Sequence, residues 1–353
     1  MSFGSLLLLA NLPQNVSFLQ SRVTMNHHHL QSIRPKSITI PECNIHSNSQ
    51  TKLSMTHEFQ IQDMNYSKNS FDHHFQNNTS ITTMTPSLIH PPTHIAIITD
   101  GNSRWSKQQI QQPIISRFLT INNNINPTFL GHSKGGNRVI SLLLHLKKHY
   151  TSVKYVTIYG FSSENWSRQA NEINDLWKVM ERTLSRFHDL AIREKIVVKM
   201  IGELDDERIP PSLRKAFRQL EMDTMDHIQR LNKNDKVEYQ PLTLCLAINY
   251  GGRNDIVQAS RRIAEMVSRN EMQVNDITSD VINDMLSTSG IPEPDLLIRT
   301  GGEQRLSNFL LWNCAYSELY FTNVLWPDFD DHQLDVALKW YESRERRFGG
   351  RRD

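Results

Sequence analysis

From residue 93 onward, short apolar runs alternate with longer amphipathic segments, and this alternation constrains the fold more than any other feature. The runs are short enough to be buried strands, whereas the longer segments repeat apolar residues with a helical period. Strands that alternate with helices form a mainly parallel central sheet flanked by helices on both faces. The predicted strands are 94–99, 153–159, 196–201, 242–250 and 295–300, and the predicted helices are 131–150, 173–193 and 253–269.

The first 92 residues differ in texture from the rest of the chain. They are rich in Ser, Asn, Gln, His and Thr and show no sustained apolar period. Such a segment buries too little apolar surface to offset its ordering entropy. We interpret 1–92 as a leader, either a disordered extension or a targeting presequence. A presequence would fit a plastid or the endoplasmic reticulum, with the cytoplasm as the alternative.

Residues 93–350 are predicted to form a single α/β domain. Its one irregular part is an Asn-rich segment at 118–129, which suits neither helix nor strand and is interpreted as an insertion. A net charge of +2 over 353 residues gives no reason to expect a nucleic-acid partner. Three scattered cysteines form no C-x-x-C pair, which argues against a disulfide framework and a thiolate zinc site. No apolar run approaches the roughly 18 residues that span a bilayer, so we expect at most peripheral membrane contact.

Polar and glycine residues gather where four predicted strands end. The carboxyl ends of parallel strands meet at one edge of a sheet, where α/β proteins commonly bind ligands. An Asp beside exposed backbone amides suits Mg²⁺ and phosphate oxygens, and arginines suit a diphosphate. Taken singly, the same residues are also ordinary turns, helix caps and solvated charges. The four clusters are 100–105, 162–168, 249–253 and 299–307; His132 is predicted near a helix start, where the dipole favours anions.

These clusters lie within segments that match a known family. The segments are HIAIITDGNSRW, GHSKGG, YGFSSENWSR, LAINYGGRNDI and IRTGGEQRLSNFLLWNCAYSELYFTNVLWPDF. In this order they resemble the motifs of the cis-prenyltransferases, and the resemblance covers 93–350. It implies an α/β fold particular to that family, with an apolar product tunnel. It also implies Mg²⁺-dependent condensation of isopentenyl diphosphate onto an allylic diphosphate starter.

The resemblance assigns roles to matched residues. Asp100 would handle the Mg²⁺-diphosphate chemistry, and Asn165 matches the residue assigned to proton removal. Glu318 would contribute to Mg²⁺ binding across a homodimer interface formed by the apolar segment at 309–321. Arg299, Arg305 and Ser307 would hold isopentenyl diphosphate, and the remaining substrate-binding residues would be Gly101, Asn102, Ser103, Arg104, Trp105, Arg117, His132, Ser162, Ser163, Glu164, Trp166, Arg168 and Leu306.

The length of the product is predicted from Gly160, whose small size favours an unobstructed tunnel and a medium or long chain. Apolar residues of the helix at 173–193 fit either the tunnel wall or ordinary core, namely Ile173, Leu176, Trp177, Val179 and Met180. Two positions depart from the family pattern. Ser103 stands where a Gly is usual, and Gln304 stands where many bacterial members have His.

Other function classes are less consistent with the sequence. A non-catalytic partner subunit of a two-component cis-prenyltransferase is the main alternative, although the chain retains Asp100, Asn165 and both arginines of its last motif. A trans-type prenyl synthase needs DDxxD runs, which the Asp pairs at 205–206 and 330–331 do not complete. A dinucleotide-binding enzyme needs G-x-G-x-x-G after the first strand, and DGNSRW is not such a motif.

Overall fold

The computed structural model describes residues 91–111, 127–234 and 239–345. Its centre is a six-stranded sheet in the spatial order β3-β4-β2-β1-β5-β6, and every pair of neighbouring strands is parallel. This confirms the predicted parallel sheet. The strands are β1 (His94–Ile98), β2 (Tyr155–Ser162), β3 (Ile196–Ile201), β4 (Leu242–Tyr250), β5 (Leu296–Arg299) and β6 (Glu318–Phe321).

Helices connect the strands and cover both faces of the sheet. In β1, Ile95 and Ile97 join a large apolar core on one face, and Ala96 and Ile98 join a smaller one on the other. This alternation follows from the two-residue period of a strand. The helices in the described residues are α1 (Asn102–Ile110), α2 (Pro127–His149), α3 (Ala170–Arg193), α4 (Pro211–Asn234), α5 (Gly252–Ser268), α6 (Ser279–Met285) and α7 (Asp331–Glu342).

The large core lies between the sheet and helices α2, α3, α4 and α7. It takes Leu142, Leu143 and Leu146 from α2 and a row of apolar residues from α4. The smaller core takes Phe309 and Leu310 from the loop that follows β5. Both faces are therefore buried, as continuous apolar strands require.

Five of the described strands and α-helices were not predicted from the sequence, namely β6, α1, α4, α6 and α7. β6 has only four residues of mixed burial, so its apolar pattern is short. α4 should have been recognised, because Leu213, Phe217 and Leu220 repeat at helical spacing and are all buried.

The observed start of helix α2 changes the interpretation of His132. α2 begins at Pro127 rather than Gly131, so residues 127–129 of the proposed insertion belong to this helix. His132 then lies in the second turn, beyond the first turn where the helix dipole acts on anions. The dipole role predicted for His132 was therefore wrong.

Arg117, most of the predicted insertion and residues 1–90 lie outside the described residues. Among the helices that the structure describes, none is long and apolar enough to cross a membrane.

Candidate active site

Three of the predicted clusters meet because β2, β1 and β5 are neighbours in the sheet. Their carboxyl ends open onto two adjoining cavities that share Thr99, Asp100, Asn102, His132 and Arg168. We call these two together the polar cavity. It is lined by Ile98, Thr99, Asp100, Gly101, Asn102, Ser103, Arg104, His132, Tyr159, Gly160, Ser162, Asn165, Arg168, Leu176, Arg299 and Ser307.

Asp100 lies between two arginines in this cavity. Its Oδ1 accepts a hydrogen bond from Arg104 Nη2 at 3.0 Å, and its Oδ2 accepts one from Arg299 Nη2 at 3.0 Å. The side chain of Arg299 is only 5% exposed, whereas that of Arg104 is 46% exposed. Two guanidinium groups against one carboxylate leave a net positive charge, which suits an anionic ligand with several oxygens.

Arg299 also fixes the loop that follows β5. Its Nη1 donates to Ser307 Oγ at 2.7 Å and to the carbonyl of Arg305. The Arg305 side chain is directed elsewhere and pairs with Glu303 Oε2 at 2.6 Å. Ser307 has a backbone φ of 49°, in the left-handed region that L-residues rarely adopt. Backbone strain of this kind persists where surrounding contacts hold it, often at functional sites.

The turn after β2 carries Asn165. Its side-chain Oδ1 accepts a hydrogen bond from the backbone N–H of Ser162 at 3.0 Å. Because a backbone N–H only donates, the atom facing it must be the amide oxygen. Asn165 lines the polar cavity, so its amide nitrogen remains to meet a ligand there. With its amide oxygen engaged in this hydrogen bond, the side chain is poorly arranged to accept a proton.

Glu164 precedes Asn165 in the same turn and is held by its neighbours. Its Oε1 accepts from Asn308 Nδ2 at 2.6 Å and its Oε2 from Ser163 Oγ at 3.2 Å. Burial alone would raise the pKa of this carboxyl, but the hydrogen bonds, that from Asn308 foremost, hold it below its usual value. Glu164 is therefore ionised at neutral pH.

An apolar cavity continues from the polar one. The two share Thr99, Asn102, His132, Gly160 and Leu176. Along α3 the apolar cavity runs from Leu176 to Phe187, roughly 17 Å at the helical rise. Its wall is completed mainly by apolar side chains of α2, β2 and β4.

Of the five α3 residues that fitted either tunnel or core, Leu176, Val179 and Met180 line the apolar cavity. Ile173 and Trp177 are buried in the core instead. Gly160 lies where the two cavities join, and a Cβ there would come within 2.9 Å of Ile248 Cδ1. A larger residue at this position would narrow the passage.

Two glycines allow close approaches around the start of α1, Gly101 to the segment at Leu325 and Gly131 to Asn102. Gly101 has φ 111°, and a Cβ on it would lie 2.9 Å from Leu325 Cδ2. A Cβ on Gly131 would overlap the carbonyl oxygen of Asn102, so α2 can approach α1 only with glycine there. These contacts bring His132 beside Asn102 in the polar cavity.

Several predicted site residues lie beside the polar cavity without lining it. Trp105 donates to Asp328 Oδ1 at 2.9 Å and carries Lys134 over its ring at 4.3 Å. Trp166 donates to Asn249 Oδ1 at 2.7 Å. Leu306 packs against the smaller core. Ser163, Glu164 and Arg305 do not line the polar cavity either. Ser163 and Glu164 are next in the chain to lining residues, and Arg305 lies two residues before the lining residue Ser307.

The sequence reasoning missed Thr99 and Tyr159, which both line the polar cavity. Each lies near the end of a predicted strand, close to a predicted cluster of site residues. That position could have identified both as candidates for the site. Burial raises the pKa of Tyr159, whose hydroxyl donates to the Tyr250 carbonyl at 3.1 Å and stays neutral.

Glu318 lies at the other end of the sheet from Asp100 in the same chain. It pairs with Leu296, which pairs with Ile95, five residues before Asp100. At the rise of a strand this is roughly 16 Å along β1. Glu318 Oε2 accepts from Arg344 Nε at 3.2 Å. A metal role for Glu318 at this site therefore needs a second chain and stays a prediction.

Asp100 is the carboxylate best placed for Mg²⁺ here. The described residues contain no group of three or more His, Cys, Asp or Glu that could hold a metal ion. Mg²⁺ is usually bound through one or two carboxylates together with substrate phosphates. The Asp100 carboxylate, whose side chain is 30% exposed, fits such a site once its arginine partners turn toward the phosphates.

Comparisons with known proteins agree with this geometry. The family model for undecaprenyl diphosphate synthase, a prenyltransferase family, matches residues 98–349. The chain is 39% identical to an isoprenyl transferase of Clostridium perfringens, covering 73% of this chain and 90% of the relative. It is 38% identical to the (2E,6E)-farnesyl-diphosphate-specific ditrans,polycis-undecaprenyl-diphosphate synthase of Micrococcus luteus, covering 73% and 92%.

A solved structure is similar as well. Lavandulyl diphosphate synthase from Lavandula x intermedia, in complex with dimethylallyl diphosphate, superposes with a TM-score of 0.62 at 32% identity. The match covers 73% of this chain and 98% of the lavender protein.

Proposed function

The chain belongs to the cis-prenyltransferases, the family of undecaprenyl diphosphate synthase, and from this we propose its reaction. It elongates an allylic diphosphate, farnesyl diphosphate, by successive cis additions of isopentenyl diphosphate. The product is a medium- or long-chain polyprenyl diphosphate. The observation that carries the proposal is the arginine-rich polar cavity that opens directly into a long apolar cavity.

The bond changes suit a site of this charge. The allylic C1–O bond breaks and its electron pair leaves with the diphosphate, while the double bond of isopentenyl diphosphate supplies the electrons of the new C–C bond. Loss of a proton from C2 then forms the new double bond. Positive charge around the departing diphosphate stabilises the transition state, because negative charge develops on its oxygen.

We assign the two diphosphates to the two sides of Asp100. Arg299 and Ser307, which form one hydrogen-bonded unit, hold the diphosphate of isopentenyl diphosphate. Arg305 joins them by exchanging its Glu303 partner for the diphosphate. Arg104, with the backbone and side chains of 101–103, receives the diphosphate of the starter. Ser103 adds a hydroxyl donor to this wall of the cavity.

Asn165 orients isopentenyl diphosphate rather than removing its proton. Its amide oxygen is held by Ser162 N–H, and an amide is a weak base in any case. A diphosphate oxygen is then the proton acceptor, and the Asn165 amide nitrogen positions the substrate relative to it.

Mg²⁺ is the cofactor that we propose, with Asp100 as its ligand in this chain. When bound, a divalent cation neutralises charge on the leaving diphosphate. The position of Asp100 at the end of β1, between the two assigned diphosphate positions, supports this assignment.

The growing chain occupies the apolar cavity. Burial of each CH₂ group contributes about 0.8 kcal/mol, so elongation into this cavity is favourable as long as space remains. Phe187 and Leu244 are the lining residues farthest along α3 and β4 from the mouth. We therefore expect them to form its floor.

We further propose a homodimer in which β6, an edge strand of the sheet, lies at the interface. Within the segment predicted to form the dimer contact, Phe309 and Leu310 belong to the core of their own chain. Tyr316 and Leu319 are the large apolar residues of that segment that stay exposed, so they are the ones available to a second chain. Glu318 would reach a metal only in such an assembly.

One experiment separates the main proposal from the alternative of a non-catalytic partner subunit. The purified chain is incubated with Mg²⁺, isopentenyl diphosphate and farnesyl diphosphate, and the dephosphorylated products are separated by reversed-phase chromatography. We expect Mg²⁺-dependent products longer than C20 with no added protein. A product that stops at C20, after one addition to the C15 starter, would contradict the proposed chain length. Activity only after addition of a second protein would support the partner-subunit alternative.

The compartment is a separate proposal that rests on the composition of residues 1–92. We propose a plastid or the endoplasmic reticulum, with peripheral membrane contact because the product is a lipid. A fluorescent protein fused after the full chain, compared with the same fusion lacking 1–92, tests it. Identical distribution of the two fusions would rule out a targeting role for the leader.

A further inference from the structure

Asn308 joins three segments that meet at the active-site end of the sheet. Its side-chain Nδ2 donates to Glu164 Oε1 at 2.6 Å, in the turn that carries Asn165. Its Oδ1 accepts from the backbone N–H of Arg253 at 2.8 Å, and its carbonyl accepts from Gly252 N–H at 2.7 Å. One residue therefore links the loop after β5, the turn after β2 and the start of α5.

The backbone conformation of Asn308 is one that an asparagine can adopt. Its φ of 64° lies in the left-handed region, which Asn tolerates better than most L-residues because its short polar side chain bonds locally. The neighbouring Ser307, assigned to the diphosphate of isopentenyl diphosphate, has the same left-handed conformation. The junction is also tight, because a Cβ on Gly251 would lie 2.7 Å from Asn308 Nδ2.

Asn308 does not line the polar cavity, whereas its neighbours on both sides of the junction do. Ser307 and Asn165 are each one residue away from a partner of the Asn308–Glu164 hydrogen bond, and both line the cavity. A charge-assisted hydrogen bond of 2.6 Å between these partners fixes the distance between the two substrate-contacting segments.

We propose that Asn308 is a positioning residue that holds the loop after β5 against the turn that carries Asn165. Ser307 and Asn165 then contact isopentenyl diphosphate in the correct relative position. This rests on the proposed function. A displacement of about 1 Å between groups that align a substrate can lower a rate about a hundredfold.

An exchange of donor and acceptor tests the proposal. Asn308→Asp keeps the size of the side chain and an acceptor for Arg253 N–H, but it sets a second carboxylate against Glu164. We expect kcat to fall by about ten- to a hundredfold and KM for isopentenyl diphosphate to rise. Glu164→Gln in the same chain restores one donor and one acceptor, with the original net charge. The double variant should recover most of the lost kcat.

The control is a second Asn–Glu pair, which joins α5 to the segment after β3. Asn254 Nδ2 donates to Glu203 Oε1 at 3.4 Å, and neither residue lines the polar cavity. Asn254→Asp makes the same chemical change there and should leave kcat and KM unaltered. Thermal unfolding of every variant separates loss of folded protein from loss of alignment.

The outcomes distinguish this inference from the proposed function. A wild-type chain with no turnover would overturn both. An active wild type, together with an Asn308→Asp variant of normal kcat, would overturn the positioning role alone. Failure of Glu164→Gln to restore the rate of a folded Asn308→Asp variant would do the same.

Discussion

Arg299 offers the sharpest test of how the site handles a diphosphate. It is almost fully buried and contacts Asp100 at 3.0 Å and Ser307 Oγ at 2.7 Å, and it also donates to the carbonyl of Arg305. Arg299→Lys keeps the positive charge but removes the planar fork that reaches these groups together. The substitution therefore separates geometry from charge.

The expected size of the effect follows from the bonds that are lost. A hydrogen bond to a charged group contributes about 1.5–3 kcal/mol, and each 1.4 kcal/mol changes an affinity about tenfold. Loss of one such bond to the diphosphate should raise KM for isopentenyl diphosphate by about 10- to 150-fold. KM for the starter should change by less than about threefold, because its diphosphate is assigned to the Arg104 side of Asp100.

Initial rates give both constants when one substrate is varied against a saturating concentration of the other. Arg269→Lys, at the exposed end of α5, makes the same substitution outside the site and should behave as wild type. Calorimetric titration with inorganic pyrophosphate gives the loss of affinity directly. A KM for isopentenyl diphosphate within about twofold of wild type, or an equal rise in both KM values, would refute the assignment of Arg299.

Three further predictions address proton removal, product length and stability. Asn165→Asp exchanges the amide donor for a charged acceptor and should lower kcat by about a hundredfold or more; an undiminished rate would show that Asn165 accepts the proton. Phe187→Ala should lengthen the product seen by chromatography, and unchanged products would place the floor elsewhere. Burial lowers the pKa of His94 to about 4. The free energy of unfolding should therefore fall by about 3 kcal/mol as pH falls from 6.5 to 4, because the unfolded chain binds a proton that the buried imidazole does not. His94→Gln should remove that part of the pH dependence in urea titrations, and an identical dependence would contradict the assignment.

The strand ends were predictable because they depend on local patterns. Apolar runs that end in Gly or polar residues gave five of the six strands, and parallel pairing then required the clusters near Asp100, Asn165 and Arg299 to meet. β6 was missed because a four-residue run of mixed burial gives no clear period.

The boundary between core and tunnel was not predictable from one sequence. On α3, Trp177 is buried in the core and Leu176 lines the cavity, although the two are adjacent and both apolar. Helical periodicity shows which face of the helix is buried. It does not separate residues that line an apolar cavity from residues that pack in the core, because both are apolar. The links made by Asn308 were also invisible, because they join residues 144 and 55 positions apart.

The pairing of Asp100 has a consequence for the order in which ligands bind. Both of its carboxylate oxygens accept hydrogen bonds from arginines, so a cation that approaches alone meets two positive charges. A diphosphate offers the same arginines several oxygens and competes with Asp100 for them. Binding of the diphosphate therefore frees the carboxylate and brings further oxygen ligands at the same time. Mg²⁺ and diphosphate should therefore bind cooperatively, each raising the affinity for the other by the same factor.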